Sequence, residues 1–135
     1  MEDVNSNNGH WERTGERDSN SFGFVYRIAN KTSGKFYLGS KQYYSKVTKR
    51  PLKGTRGKRR TVKESDWREY ASSSESLRKE IITLGKEAFR FEILSEHPDR
   101  QSLRYAEIKL QIEENVLFRP DSYNQYIGGR FGVRK

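Results

Sequence analysis

The chain has 135 residues and carries 27 Lys+Arg against 18 Asp+Glu, for a formal charge of +9, with only 32% hydrophobic residues. That length fits one compact domain whose thin core draws largely on 7 Phe, 8 Tyr and 2 Trp. Zero cysteines exclude a disulfide framework, a Cys-ligated zinc site, an iron–sulfur cluster and thiol nucleophiles, and two histidines leave almost nothing for an all-His metal site.

No run approaches the ~18 apolar residues of a membrane span, and the N-terminus lacks a signal peptide's apolar segment. The expectation is a cytoplasmic protein with no membrane partner. A pI near 9.8 points instead to polyanions.

Residues 1–20 show no apolar periodicity and read as a disordered tail. Five acids there (Glu2, Asp3, Glu12, Glu16, Asp18) face only Arg13 and Arg17, so the basic excess lies further on. From Phe22 the pattern alternates, with Phe24, Tyr26 and Ile28 on one face and Val25, Arg27 and Ala29 on the other, which is a strand signature. Residues 30–34 (NKTSG) supply turn chemistry, and Lys35 to Gly39 read as the return strand of a hairpin.

Residues 41–63 hold cations and no acid, and Pro51, Gly54 and Gly57 argue against a regular helix. A long basic loop, or a short helix followed by one, is expected. Serines 72–74 ahead of Leu77, Ile81 and Ile82, with Gly85 after them, predict a capped helix. A third strand follows over Phe89 to Leu94. Pro98 and Asp99 then open a helix running to about Phe118, and residues 128–135 form a short basic tail. The order predicts an α+β domain over residues 21–127, with a small three-stranded, mainly antiparallel sheet flanked by helices and a long basic insert after the first hairpin.

Three features could carry chemistry. Glu107 follows Leu103 by four positions and precedes Leu110 by three, so it lies beside an apolar helical stripe. A carboxylate there is either a half-exposed edge residue or one held by a metal or an arginine. Tyr26 and Tyr37 sit near the middle of two pairing strands, and their hydroxyls converge if they share a face. One residue of register slip would separate them. The basic insert is what phosphate-backbone binding needs, in a nuclease or in an RNA-binding arm alike. His10 and His97 read as ordinary surface residues, and there is no P-loop, HExxH or GxSxG motif.

Phe24-Val25-Tyr26, the eleven-residue step to Tyr37-Leu38-Gly39, the stretches 65–74 and 85–94, Glu107 within Tyr105–Gln111, and Tyr123-Asn124 together resemble the GIY-YIG nuclease family. The likeness is closest to its phage-encoded, SegE-like, free-standing homing-type branch. Phe24 stands where that family usually has glycine, with Gly23 one residue earlier, and Val25 and Leu38 are mild replacements.

The resemblance implies a divalent-metal-dependent DNA endonuclease that hydrolyses phosphodiester bonds. Glu107 would hold one Mg²⁺ or Mn²⁺ per active site. Tyr26 would act as general base, directly or through Tyr37 and water, and Asn124 would help hold the site. Arg50 would supply the family's arginine, with Lys41 as a supporting cation. Lys41, Lys49, Arg50, Lys53, Arg56, Lys58, Arg59, Arg60 and Arg68 would contact double-stranded DNA. A homodimer would suit double-strand cleavage, and a phage-encoded protein would act in the cytoplasm of the infected bacterium. The alternative keeps the fold without catalysis, as a degenerate GIY-YIG domain serving as a nucleic-acid-binding or regulatory module. Glu107 pointing away from the tyrosines would favour that alternative.

Overall fold

Alternation of large apolar side chains builds β1 (Gly23–Asn30), the centre of a three-stranded antiparallel sheet ordered β2-β1-β5. β2 (Phe36–Gln42) is the return strand of the expected hairpin, and β5 (Phe89–His97) flanks β1 on the other side. The computed structural model describes residues 8–13, 20–49, 51, 53–54, 57, 59–128 and 131–135.

Helix α1 (Glu75–Leu84) starts where the Ser74 hydroxyl accepts from the Leu77 N–H, and stops at Gly85, whose φ of 88° suits glycine. Helix α2 (Arg100–Glu113) is capped by Asp99, which accepts from Ser102 N–H. It is shorter than expected. The chain turns at Glu114, Asn115 adopts φ 53°, and Val116 and Leu117 are buried, Val116 packing with Phe36 and Leu38 of β2.

The sheet is covered on both faces. Phe24, Tyr26, Ile28, Phe89 and Phe91 pack with Trp67, Leu77 and Ile81, while Phe36 and Leu38 pack with Val116 and Leu110. Ser95 pairs with Val25 and Ile93 with Tyr26, so Leu94 bulges from β5 beside the first tyrosine.

Three expectations need correction. The described residues of 41–63 are not the expected long loop or short helix followed by one. They hold an antiparallel hairpin, β3 (Tyr44–Lys49) with β4 (Arg59–Glu64), because each strand carries a β-branched pair, Val47-Thr48 and Thr61-Val62, between its cations. The turn contains Pro51, Gly54 and Gly57, and positive φ at both glycines lets the chain reverse.

Residues 8–13 are also not a loose tail. Trp11 is 4% exposed in the main core, Glu12 and Phe91/Ile93 exchange backbone hydrogen bonds, and Trp11 Nε1 donates to the Trp67 carbonyl at 2.6 Å. The acidic composition hid a single aromatic anchor. Residues 1–7 and 14–19, the rest of that expectation, lie outside the described residues.

The C-terminal segment pairs too, as β6 (Tyr126–Ile127) with β7 (Phe131–Gly132). The Lys135 ammonium donates to the carbonyls of Val116, Arg119 and Ser122. Among the described residues, no helix is long and apolar enough to cross a membrane.

Candidate active site

The β1–β2 register decides where the tyrosines go. Tyr26 pairs with Gly39 and Ile28 with Tyr37, so both tyrosines leave the same face, two register positions apart. Their rings stack at 6.1 Å with an interplanar angle of 29°. A β-carbon on Gly39 would stand 2.6 Å from the Tyr26 hydroxyl and 2.9 Å from the Tyr37 ring, so the glycine opposite Tyr26 makes the arrangement possible.

Tyr26 is only 1% exposed and hydrogen-bonds Tyr70, whose ring meets it edge-on at 6.1 Å. Burial, then the neighbouring Tyr37, Tyr70 and Glu107, pushes the Tyr26 phenol well above its ordinary range. Tyr37 is shifted up too, mainly by burial, but it reaches further out and its hydroxyl meets Ser73 Oγ at 3.0 Å. The outward-facing phenol of the pair is therefore Tyr37.

Glu107 comes from α2, on the opposite side of the sheet, and shares a cleft with Tyr37 around the edge strand β2. It lines two clefts at once. One, of about 710 Å³, also contains Tyr37, Ser73, Lys79 and Asn124. The other, of about 630 Å³, contains Ser40, Lys41, Lys63, Asp66 and Arg100. Arg104 and Glu107 are the residues that the two clefts share. Partial burial raises the Glu107 carboxyl above its usual value, opposed by the Ser40 hydroxyl and by the charge of Arg104. Glu107 thus shares a cleft with Tyr37 and lies within electrostatic reach of both tyrosines.

The donor set suits one kind of metal. Among the described residues, no three Asp, Glu or His side chains gather to cage an ion. Mg²⁺ or Mn²⁺ bound through one carboxylate, with waters and substrate phosphate completing the shell, fits a single half-buried Glu in an open polar cleft. A zinc site does not fit.

Asn124 is 1% exposed and does not reach outward with its polar atoms. Its Oδ1 accepts from Leu38 N–H at 3.0 Å, and its Nδ2 donates to Leu38 C=O at 2.8 Å, as a neighbouring strand would. The chain just before it pairs with Phe36, whose N–H donates to Asp121 and whose carbonyl accepts from Tyr123. Gln111, one turn beyond Glu107, donates to the same Leu38 carbonyl at 2.9 Å. Together they hold the segment between Tyr37 and Gly39.

The expected cations are spread more widely. Lys41 pairs with Asp66 at 2.8 Å and lies 4.3 Å from the Tyr70 ring centroid, so it borders the tyrosine cluster. Arg68 pairs with Glu64 and stacks 4.6 Å from the Trp67 ring. Lys53 is exposed at the turn between β3 and β4. Lys49, Arg59 and Arg60 occupy strand positions in the hairpin, whereas Arg50, Arg56 and Lys58 lie outside the described residues.

Tyr70, Arg104 and Gln111 were missing from the expected site. Arg104 and Gln111 stand three before and four after Glu107, a helical spacing that would have found them. Tyr70 carries no such signal, because it approaches Tyr26 from a distant loop. His10, expected at the surface, stacks on Phe91 at 3.9 Å, and its Nε2 lies 2.8 Å from the Tyr70 carbonyl. His97 ends β5.

Comparison with known families decides the identity: the profile described as "Putative endonuclease segE, GIY-YIG domain" matches residues 9–127. The chain belongs to the SegE-type GIY-YIG nuclease family. No curated protein and no solved structure matches it. The match takes in residues 9–13, the segment that packs Trp11 into the core. The three-stranded antiparallel sheet with its flanking helices is the fold this family implies. Phe24, at the place where GIY-YIG domains usually carry glycine, is wholly buried among Trp11, Tyr43 and Trp67. It serves the core, and the tyrosine next but one keeps its place.

Proposed function

We propose that this GIY-YIG protein is a divalent-metal-dependent endonuclease that hydrolyses phosphodiester bonds in double-stranded DNA. The observation that carries the reading is Glu107 at the junction of two open clefts, within electrostatic reach of the Tyr26–Tyr37 pair. A degenerate domain has no need to keep a carboxylate half-buried beside one buried and one partly buried phenol.

In the reaction, water adds to phosphorus through a new P–O bond. One ester P–O bond breaks, and the water's proton ends on the departing sugar oxygen. Glu107 would hold Mg²⁺ or Mn²⁺, which when bound supplies positive charge to the phosphate and draws the nearby phenols toward ionisation. Tyr37, at the cleft wall, would orient the attacking water and, once ionised, take its proton and pass it on toward the departing oxygen. Tyr26, sealed beneath, receives no water and acts through its contact with Tyr37. Asn124 and Gln111 fix β2 so that Tyr37 keeps its place.

The β3–β4 hairpin, with Arg50, Arg56 and Lys58 in the sequence that joins its strands, supplies sequence-independent affinity for the DNA backbone. Removing one phosphate-binding cation from it reduces the slope of log affinity against log salt by about 0.9. One such site cuts one strand, so a double-strand break requires a second copy or sequential nicking. On this reading a phage-encoded enzyme would act in the cytoplasm of the infected bacterium.

The test is nicking of supercoiled plasmid and of several phage and host DNAs with Mg²⁺, Mn²⁺ or EDTA, comparing wild type with Glu107→Ala. Metal-dependent cutting lost in the variant supports the reading. DNA binding without cutting on every substrate would replace it with the binding-module alternative.

A further inference from the structure

Arg104 and Glu107 present opposite charges one turn apart on α2, a spacing at which such side chains ordinarily pair. Here they do not form an ion pair. The Glu107 carboxylate takes a hydrogen bond from Ser40, while the Arg104 Nη2 donates to the carbonyl of Gly128, another residue of the larger cleft's wall, at 3.0 Å. Among the described residues, no carboxylate neutralises Arg104, and its side chain is exposed. The Gly128 contact uses one N–H and leaves the other guanidinium donors for a ligand.

An acid and a base that share a cleft without pairing suit a ligand that is itself a cation–anion pair. Such a ligand is a divalent ion together with a phosphodiester. The other described cations of the two clefts serve less well. Lys41 is already engaged by Asp66, and Lys79 by Glu75 at 3.3 Å. Lys63 and Arg100 line only the cleft that lacks Tyr37.

We infer that Arg104 is the catalytic guanidinium of this site, gripping the non-bridging oxygens of the scissile phosphate while Glu107 faces the ion. This inference rests on the nuclease reading and assigns to Arg104 the role that the sequence resemblance gave to Arg50. A guanidinium matches two phosphate oxygens with parallel N–H donors, and its charge counts most as negative charge grows on them in the transition state. The Gly128 carbonyl aims that fork, so the charge is in place before the substrate arrives.

The experiment measures single-turnover nicking with Mg²⁺ for wild type, Arg104→Ala, Arg104→Lys and Arg50→Ala, alongside DNA affinity in EDTA and thermal melting. Arg104→Ala is expected to lose on the order of 10²–10³-fold in rate. Its DNA affinity should change less than about tenfold and its melting temperature should hold, because the side chain is exposed. Arg104→Lys should recover only part of the rate, since an ammonium lacks the fork, and added guanidinium ion should partly rescue Arg104→Ala. A full-rate Arg104→Ala, or a loss seen only in Arg50→Ala, would overturn the inference.

A separate arm needs no catalysis. Titrating wild type in EDTA with a thymidine dinucleotide should shift the Arg104 side-chain N–H resonance. If wild type never cuts DNA yet this shift appears, the phosphate contact stands and the nuclease reading falls. If the shift is absent and nothing is cut, both fall.

Discussion

Gly39 sits opposite Tyr26 across the β1–β2 ladder, and a single methyl group there would lie 2.6 Å from the tyrosine hydroxyl. Tyr26 cannot retreat, because Trp11, Phe24 and Tyr70 surround its ring. Gly39→Ala should therefore cost about 1–3 kcal/mol in stability, as overpacking does, and displace the tyrosine pair. Urea melts and plasmid nicking check both, and nicking should fall even at temperatures where the variant is fully folded.

Asn124 performs a backbone's task with a side chain. Asn124→Ala leaves the Leu38 N–H buried without its acceptor, while the Leu38 carbonyl keeps Gln111. The expected cost is about 1–3 kcal/mol. Asn124→Asp keeps an acceptor but loses the donor, and should also place a charge in a site 1% exposed. Denaturant unfolding of the two variants, with hydrogen exchange at Leu38, measures this directly.

Glu107 should behave as a functional group held against stability. Burial raises its carboxyl in the folded state, so the fold binds its proton more tightly than the unfolded chain does. Its contribution therefore falls as pH rises from the unfolded carboxyl range through the folded value. Glu107→Gln removes that loss, and the variant should melt at the same temperature as wild type or higher at neutral pH, with nicking reduced by at least about 10²-fold. Calorimetry at pH 4 to 7.5 beside the cleavage assay tests the pair of outcomes.

His10 has the opposite sign. Its Nε2 faces the Tyr70 carbonyl, its buried Nδ1 has no partner, and burial lowers its pKa to about 4. The unfolded chain takes up the proton first, so stability is complete above pH ~6.5 and declines as pH falls toward 4. The loss should be on the order of 2–3 kcal/mol and should flatten in His10→Gln. Because His10 holds the Tyr70 loop, the Tyr70 ring resonances should shift over the same interval.

Trp11→Ala should cost about 3–5 kcal/mol, the range for emptying a buried aromatic site. A substitution that left stability untouched would return residues 8–13 to the status of a tail. Thermal melting of the variant decides this.

Much of the architecture obeys local rules and is legible in one dimension. Alternation marked β1 and β2, serines and Gly85 bounded α1, Asp99 opened α2, and the order of Tyr26, Tyr37, Glu107 and Asn124 pointed to a GIY-YIG domain. Each of the strand and helix signals depends on neighbours within a few positions. The basic insert misled because its cations, with Pro51, Gly54 and Gly57, masked the β-branched pairs of its two strands. Residues 8–13 misled because one tryptophan outweighs many polar neighbours once a core receives it.

The shared face of Tyr26 and Tyr37 emerged with the folded hairpin, since the five-residue turn admits two registers and a slip of one reverses the outcome. Folding also brought Tyr70 to Tyr26, Asn124 to Leu38, and Arg104 with Glu107 to the rim of the clefts. Such contacts join residues 44 to 86 positions apart, as Tyr26–Tyr70 and Leu38–Asn124 do, and no local spacing encodes them. They arise because β2 is an edge strand with helix α2 on one side and the tyrosines on the other. Groups from opposite faces can meet only around that edge.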